Sequence, residues 1–368
     1  MKKIAYLICS AFLLSGISLS AMQQTAAKNH GTQYQNHEER MKKVEDHLQM
    51  DTRYYDHLSS YVANMYLNAE FLYWAGENEG FGIGFNTIDA ENTIIILNRD
   101  FEYGPGFRVG LGFKPLIDWD MYFSYTRFHH STKKKFSGSL FPLNVPMSGQ
   151  IERMKSSFKI KYDILDLEFG RPFHVGQTLA FKPHIGLRGG WIKQEGYNAG
   201  FDNIEPPSPG DPVAPISISY YEKLWTIGPR AGFEADLFFS KNYGFNIYGN
   251  FSGALMYANV EYIGKHTYTE YPDTPVPFTL IGPKRDDLIA ALQCAIGLAW
   301  GDFLTEGEDV ALQIRAGWEC NYWWDLYSSL EFVYFEHAPP GAIGDTSAQD
   351  ITESLLLQGL TVSARLDF

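Results

Sequence analysis

From residue 62 to the end, apolar and polar side chains alternate with period two, the pattern of strands with one face against each of two media. Leu67, Ala69, Phe71 and Tyr73 alternate with Tyr66, Asn68 and Glu70. Phe107, Val109, Leu111 and Phe113 alternate with Arg108, Gly110 and Gly112, and Trp119, Met121, Phe123 and Tyr125 with Asp120, Tyr122, Ser124 and Thr126. Phe158, Ile160 and Tyr162 oppose Lys159, Lys161 and Asp163. The apolar phase then slips by one at Ile164-Leu165, which predicts a β-bulge, after which Leu167 and Phe169 oppose Asp166 and Glu168. Further strands are predicted around Phe181–Trp191, Trp225–Leu237, Phe245–Tyr257, Leu288–Trp300 and Val310–Tyr334. The last runs Leu360, Val362, Ala364, Leu366, Phe368 on one face and Thr361, Ser363, Arg365, Asp367 on the other.

The predicted connections alternate short and long. Lys114–Asp118, Arg171–Gln177, Ser240–Asn242 and Gly301–Asp309 are short. Residues 75–103, 129–154, 194–216, 262–286 and 337–353 are long and rich in Pro, Gly and charge. That asymmetry, with strands apolar on one face, predicts an all-β transmembrane antiparallel β-barrel of about ten strands. A bend near Asn321–Asp325 in the long 310–336 segment, with Thr93–Leu97 as a further strand, would give twelve instead. A soluble sandwich also alternates, but needs no aromatic belt and no terminal aromatic in register with an apolar face. Leu360, Val362, Ala364, Leu366 and Phe368 therefore form a candidate assembly signal for the outer-membrane insertion machinery.

Composition sharpens the picture. Aromatics reach 15%, with 34 Gly, as aromatic girdles and tight turns require. All eight tryptophans, Trp74, Trp119, Trp191, Trp225, Trp300, Trp318, Trp323 and Trp324, fall mostly near predicted strand ends, where a girdle is expected. Lys2-Lys3 and the apolar run Ile4–Leu14, followed by small residues at Ser18, Ser20 and Ala21, predict a signal peptide over 1–21. Residues 22–61 read as a polar periplasmic lead, partly helical or disordered, and 62–368 as the barrel. The net charge of −13 becomes two units more negative without Lys2 and Lys3, which argues against a nucleic-acid partner. Cys294 and Cys320 fall on adjacent strands; a turn centred near residue 305 sets Cys294 opposite residue 316. That leaves Cys320 on the order of 13 Å away, too far for a disulfide.

Phe71-Leu72-Tyr73-Trp74, Pro105-Gly106-Phe107-Arg108-Val109-Gly110, Gly317-Trp318-Glu319 with Tyr322-Trp323-Trp324, and Gln358-Gly359-Leu360-Thr361 leading into Arg365-Leu366-Asp367-Phe368 are moderately specific as an ordered set. Together they resemble the Legionella-type major outer membrane protein family, pore-forming barrels also found in chlamydia-related and planctomycete bacteria. The resemblance covers roughly residues 62–368 and implies a porin-like role in the outer membrane of a Gram-negative-type bacterium. It supplies no catalytic motif, cofactor or metal site.

The residues agree on that last point: no P-loop, GxSxG, HExxH or paired CxxC occurs. A barrel protease would need His129-His130 to meet carboxylates at the outer rim, and Asp118 and Asp120 belong to the opposite end. Two function classes remain. In the first, Lys159, Lys161, Asp166, Glu168, Lys182, Arg188, Arg230, Glu234, Arg315, Glu319 and Arg365 line an aqueous lumen for passive diffusion of small hydrophilic solutes or ions. Against this, the charges would pair and plug a narrow barrel. In the second, the barrel is a scaffold whose long loops meet a host or envelope partner. The lipid bilayer and lipopolysaccharide are expected contacts under either.

Overall fold

The computed structural model describes residues 65–79, 82–88, 93–98, 102–116, 119–142, 151–175, 178–203, 212–239, 244–270, 274–281, 284–305, 310–334 and 346–368. The expected signal peptide and polar lead lie outside the described residues. The elements in chain order are β1 (Met65–Glu79), β2 (Gly82–Ile88), β3 (Thr93–Asn98), β4 (Gly104–Leu116), β5 (Trp119–Pro142), β6 (Ile151–Gly170) and β7 (Phe173–Val175). They continue with β8 (Leu179–Asn203), β9 (Pro212–Phe238), β10 (Phe245–Glu270), β11 (Thr274–Ile281), β12 (Arg285–Phe303), β13 (Ala311–Tyr334) and β14 (Thr346–Asp367).

Ten of these close into a barrel in the order β1-β14-β13-β12-β10-β9-β8-β6-β5-β4, with β4 returning to β1. Each neighbouring pair is antiparallel, so the wall has no free edge. Closure depends on the C-terminal strand: β14 pairs with β1 from Tyr66↔Asp367 to Glu79↔Ser354, and Phe368 N–H donates to the Met65 carbonyl at 3.0 Å. Glycines make room for inward tyrosines; a Cβ on Gly112 would overlap the Tyr66 ring, and one on Gly196 the Tyr220 ring.

The strand count is ten and not twelve. β3 pairs with β2, and β2 with the far end of β5, so Thr93–Asn98 stands outside the ring. The 310–336 segment does not turn at Asn321–Asp325. β13 runs through that point with a register shift between Trp323 and Tyr327, and Asp325 takes φ 48°. The bulge brings Leu326 to the inside, so the even-numbered face does not stay outward.

The long connections expected from Pro, Gly and charge are largely wall. β5 and β6 remain paired as far as Leu140↔Ile151, β8 and β9 as far as Gly200↔Ile216, and β9 and β10 as far as Pro212↔Glu270. β9 holds 27 residues, whereas roughly 10 suffice to cross a bilayer.

Along that length the wall changes polarity. In the half bearing Met65 and Phe368, the outer face shows an apolar belt that includes Leu67, Phe107, Phe123, Ile185, Ile227, Leu255 and Leu298, each exposed. The inner face there carries Glu70, Arg108, Asp166, Arg230 and Glu319. In the other half, buried side chains fill the interior: Leu72, Trp74, Phe128, Ile160, Tyr162, Ile192, Leu224, Met256, Trp323 and Leu357 belong to one cluster. The crossover falls between Glu70 and Leu72 on β1 and between Asp166 and Ile164 on β6; on the paired strands β12 and β13 it falls at one level, between Gln293 and Ala291 and between Asn321 and Trp323.

Three sequence expectations are overturned by this inversion. β6 carries no phase slip at Ile164-Leu165; its pairings with β5 and β8 run unbroken from Gly170 to Arg153. Phe158, Ile160 and Tyr162 consequently point inward, and Lys159 and Lys161 lie on the outer face, not in the lumen. Trp74 and Trp323 are fully buried inside and leave the girdle to Trp119, Trp191, Trp225, Trp318 and Trp324, each exposed. The β12–β13 turn is also longer on its far side than a symmetric hairpin. Phe303 pairs with Ala311, which sets Cys294 directly opposite Cys320, with no disulfide joining them.

Candidate functional site: the charged lumen

In the half bearing Met65 and Phe368, the lower half, the inner face alternates out of phase with the apolar belt, so inward positions recur every second residue and many of them carry polar side chains. The ring is narrow enough for those side chains to meet. Arg108 of β4 bridges Glu70 of β1 at 2.6 Å and Glu319 of β13 at 2.7 Å. Glu319 also accepts from Gln293 Nε2 at 2.7 Å and from Thr361 Oγ1 at 3.0 Å. The Gln293 carbonyl oxygen accepts from Arg188 at 2.6 Å and Arg230 at 2.8 Å. Both guanidiniums reach Asp166, at 2.7 and 2.8 Å, and Arg230 also reaches Glu168 at 3.1 Å. One connected layer thus crosses the whole lumen.

A second layer lies nearer Met65 and Phe368. Lys182 of β8 holds Asp120 at 2.9 Å and Glu234 at 3.2 Å. Asp120 accepts from the Tyr66 hydroxyl at 2.9 Å. Arg315 pairs with Glu234 and stands 3.6 Å from Asp236. Arg365 donates through Nε to Asp367 at 2.9 Å and lies over the Tyr66 ring. Each cation in the two layers has a carboxylate partner, the arrangement that makes buried charge tolerable.

Of the lumen candidates, Asp166, Glu168, Lys182, Arg188, Arg230, Glu234, Arg315, Glu319 and Arg365 come together here. Lys159 and Lys161 do not. Glu70, Arg108, Asp120, Asp236 and Asp367 complete the layers; their signal was their place on the polar face of an alternating strand. Gln293, which ties the two halves of that layer, shares this place on its strand but is neutral, and charge alone selects the candidates. Leu360, Val362, Ala364, Leu366 and Phe368 all lie on the outer face of β14. His129 and His130 diverge: His129 donates to Asp163 at 2.8 Å on the outside, and His130 stacks on the buried Phe128 ring.

The space left is small. A cavity of about 120 Å³ is lined by Glu70, Arg108, Tyr122, Asp166, Arg230 and Glu319 among others, and a second of about 100 Å³ lies beside Lys114, Asp120 and Asp236. At roughly 30 Å³ per molecule of liquid water, each has room for a few waters. Above the first, Trp74, Tyr162, Trp323 and Leu357 close the bore.

The chain is similar in fold to several solved outer-membrane barrels. The outer membrane protease OmpT from Escherichia coli matches at 10% identity and TM-score 0.39, covering 84% of this chain and 98% of that one. The translocator domain of the autotransporter NalP from Neisseria meningitidis matches at 11% identity and TM-score 0.30, covering 89% and 98%. A Pseudomonas aeruginosa FadL homologue matches at 8% identity and TM-score 0.27, covering 83% and 90%. No curated protein sequence matches the chain. The family model described as the Legionella pneumophila major outer membrane protein precursor matches residues 62–368, the whole barrel, and the chain therefore belongs to that family of outer-membrane proteins.

Proposed function

We propose that this protein is a closed, non-catalytic outer-membrane barrel that serves as a scaffold, presenting its outward extension for adhesion or envelope interaction. One observation carries the reading: the apolar cluster of Trp74, Phe128, Tyr162, Trp323 and Leu357 fills the bore above the charged layers. A hydrated ion crossing that cluster would shed its water against hydrocarbon, at a cost that excludes passive flow. The divergence of His129 and His130 favours the non-catalytic part.

The second reading, passive diffusion of small hydrophilic solutes or ions, draws on the polar lower lumen and its two small cavities. It requires the apolar cluster to open. Conductance of the purified, heat-modifiable protein in planar bilayers separates the two. No steady current is expected from inserted protein; uniform ohmic steps would replace the scaffold with the pore.

A further inference from the structure

We propose that the outer face of β5, β6, β8 and β9 binds the phosphate groups of an outer-leaflet glycolipid, with Lys161, Lys193 and Lys223 as the ligating cations. The site is independent of whether the lumen conducts. Strand register places His129 opposite Lys161, Lys161 opposite Lys193, and Lys193 opposite Lys223. Four neighbouring strands thus contribute cationic or titratable side chains to one row across the wall, in a chain whose net charge is −13. Neighbouring strands stand about 4.8 Å apart, so the three lysines span roughly 10 Å.

The height is that of a lipid headgroup. Trp191 and Trp225 pair directly across β8 and β9 one residue pair below, about 7 Å lower on the wall. They are 48% and 42% exposed and sit where aromatic rings mark the lipid–water boundary. Phosphates attached to acyl chains packed against Ile185, Leu187 and Ile227 would reach the lysine row directly above.

The row is also electrostatically incomplete. Like charges directly opposite on paired strands are destabilising, and here two such pairs follow in succession. Among the described residues, Lys161, Lys193 and Lys223 have no ion pair. The nearby carboxylates are engaged elsewhere: Asp163 accepts from His129 at 2.8 Å and from Tyr125 at 2.6 Å, and Glu195 pairs with Lys159 at 3.3 Å. Glu261, opposite Lys223, is 3.9 Å from Lys284. Fixed phosphates supply the missing charge, and surface lysines attract anionic headgroups at short range.

The test uses purified, detergent-folded protein titrated with diphosphorylated lipid A, its dephosphorylated form and phosphatidylcholine, read by native mass spectrometry. The comparison is a Lys161→Gln, Lys193→Gln, Lys223→Gln variant and a control Lys133→Gln, Lys155→Gln, Lys265→Gln variant, each shown to keep heat-modifiable mobility. The expected result is at least a tenfold loss of lipid A binding in the first variant alone, with no change for the dephosphorylated lipid. Equal binding by wild type and the first variant would overturn the site, as would equal loss in the control. Full competition by millimolar inorganic phosphate would overturn the lipid as its occupant. Should the triple variant not fold, Lys193→Gln alone is expected to weaken binding by a few-fold, and an unchanged affinity there would count against the proposal.

Discussion

The lower and upper halves of the barrel are built largely from the same strands, and on β6, paired on both sides from Gly170 to Arg153, the two faces are exchanged. On β6, Leu167 and Leu165 face outward and Asp166 inward; a few residues on, Lys161 and Lys159 face outward and Ile160 and Phe158 inward. On β6 the pairing does not change between the two, because a closed barrel satisfies its N–H and C=O groups in either medium. What changes is the solvent outside. Against lipid, the wall shows hydrocarbon and must place its charges inside, where they pair. Against water, it shows lysine and aspartate and packs hydrocarbon inside, as a soluble barrel does. The polarity of a strand therefore reports the medium it stands in, and the exchange packs apolar side chains into the interior above the charged layers.

The largest expected effect comes from placing a charge in the upper interior. Ile160 is fully buried, so Ile160→Asp leaves a carboxylate with no partner and is expected to cost about 3–5 kcal/mol. Lys161→Asp, one residue away on the outer face, should stay within about 0.5 kcal/mol. Urea unfolding in detergent, followed by heat-modifiable mobility, checks both. If Lys161→Asp proved the damaging change, the assignment of faces in the upper half would be reversed.

In the lower interior the same physics runs through a removed partner. Asp166→Ala strands Arg188 and Arg230 and is expected to cost about 3–5 kcal/mol, toward the smaller end because Glu168 still reaches Arg230. Asp163→Ala, on the outer face, should be nearly silent in the same unfolding measurement. On the lower outer face, Leu187→Lys puts an ammonium against acyl chains and is expected to cost about 2–4 kcal/mol, whereas Lys193→Leu above the girdle should cost little. Equal penalties for Leu187→Lys and Lys193→Leu would mean that the lipid boundary is not at Trp191.

A smaller effect is expected at the closing strand. Phe368→Ser removes an exposed aromatic from the belt at the end of β14 and should lower the amount of assembled barrel in the outer membrane without changing the stability of barrels that do assemble. The checks are the ratio of folded to unfolded protein in membrane fractions and the midpoint of urea unfolding. A wild-type ratio would make Phe368 an ordinary belt residue.

The alternation in β1, β4, β5 and β14 was enough to read the strands, their faces and the even number of crossings, because in the lower half the pattern and the medium agree. The charged layers were legible for the same reason: Asp166, Arg188 and Glu319 stand on polar faces of alternating strands. The error over Lys159 and Lys161 has a single source. Assuming one medium along the whole strand, the change of apolar phase from Phe158, Ile160 and Tyr162 to Leu167 and Phe169 can be explained only by a bulge, and the polarity exchange mimics one. Trp74 and Trp323 were misplaced for the same reason, since a tryptophan near a strand end marks either a girdle or a plug. The pairing partners of Arg108 and Gln293 were beyond reach, because contacts across the lumen depend on the barrel's diameter and stagger, which no local pattern encodes.

The smallest effect is a test of register in which stability should not move. Cys294 and Cys320 are directly opposed across β12 and β13, on the outer face, with their side chains in hydrogen-bond contact. Opposed residues on antiparallel strands have Cα atoms about 4.5–5.5 Å apart, within the range a disulfide spans. A symmetric turn would instead put residue 316 opposite Cys294 and hold the thiols apart. Diamide, which takes up two hydrogens as it is reduced to the hydrazine, should therefore link Cys294 to Cys320 within one folded monomer. Both thiols should then vanish from maleimide labelling, and dithiothreitol should restore them. Cys320→Ser should block the intrachain product and leave Cys294 labelled. Two thiols that stay reactive after diamide in a heat-modifiable barrel would mean that β13 has slipped against β12, and that Glu319 does not stand at the height where Arg108 can reach it.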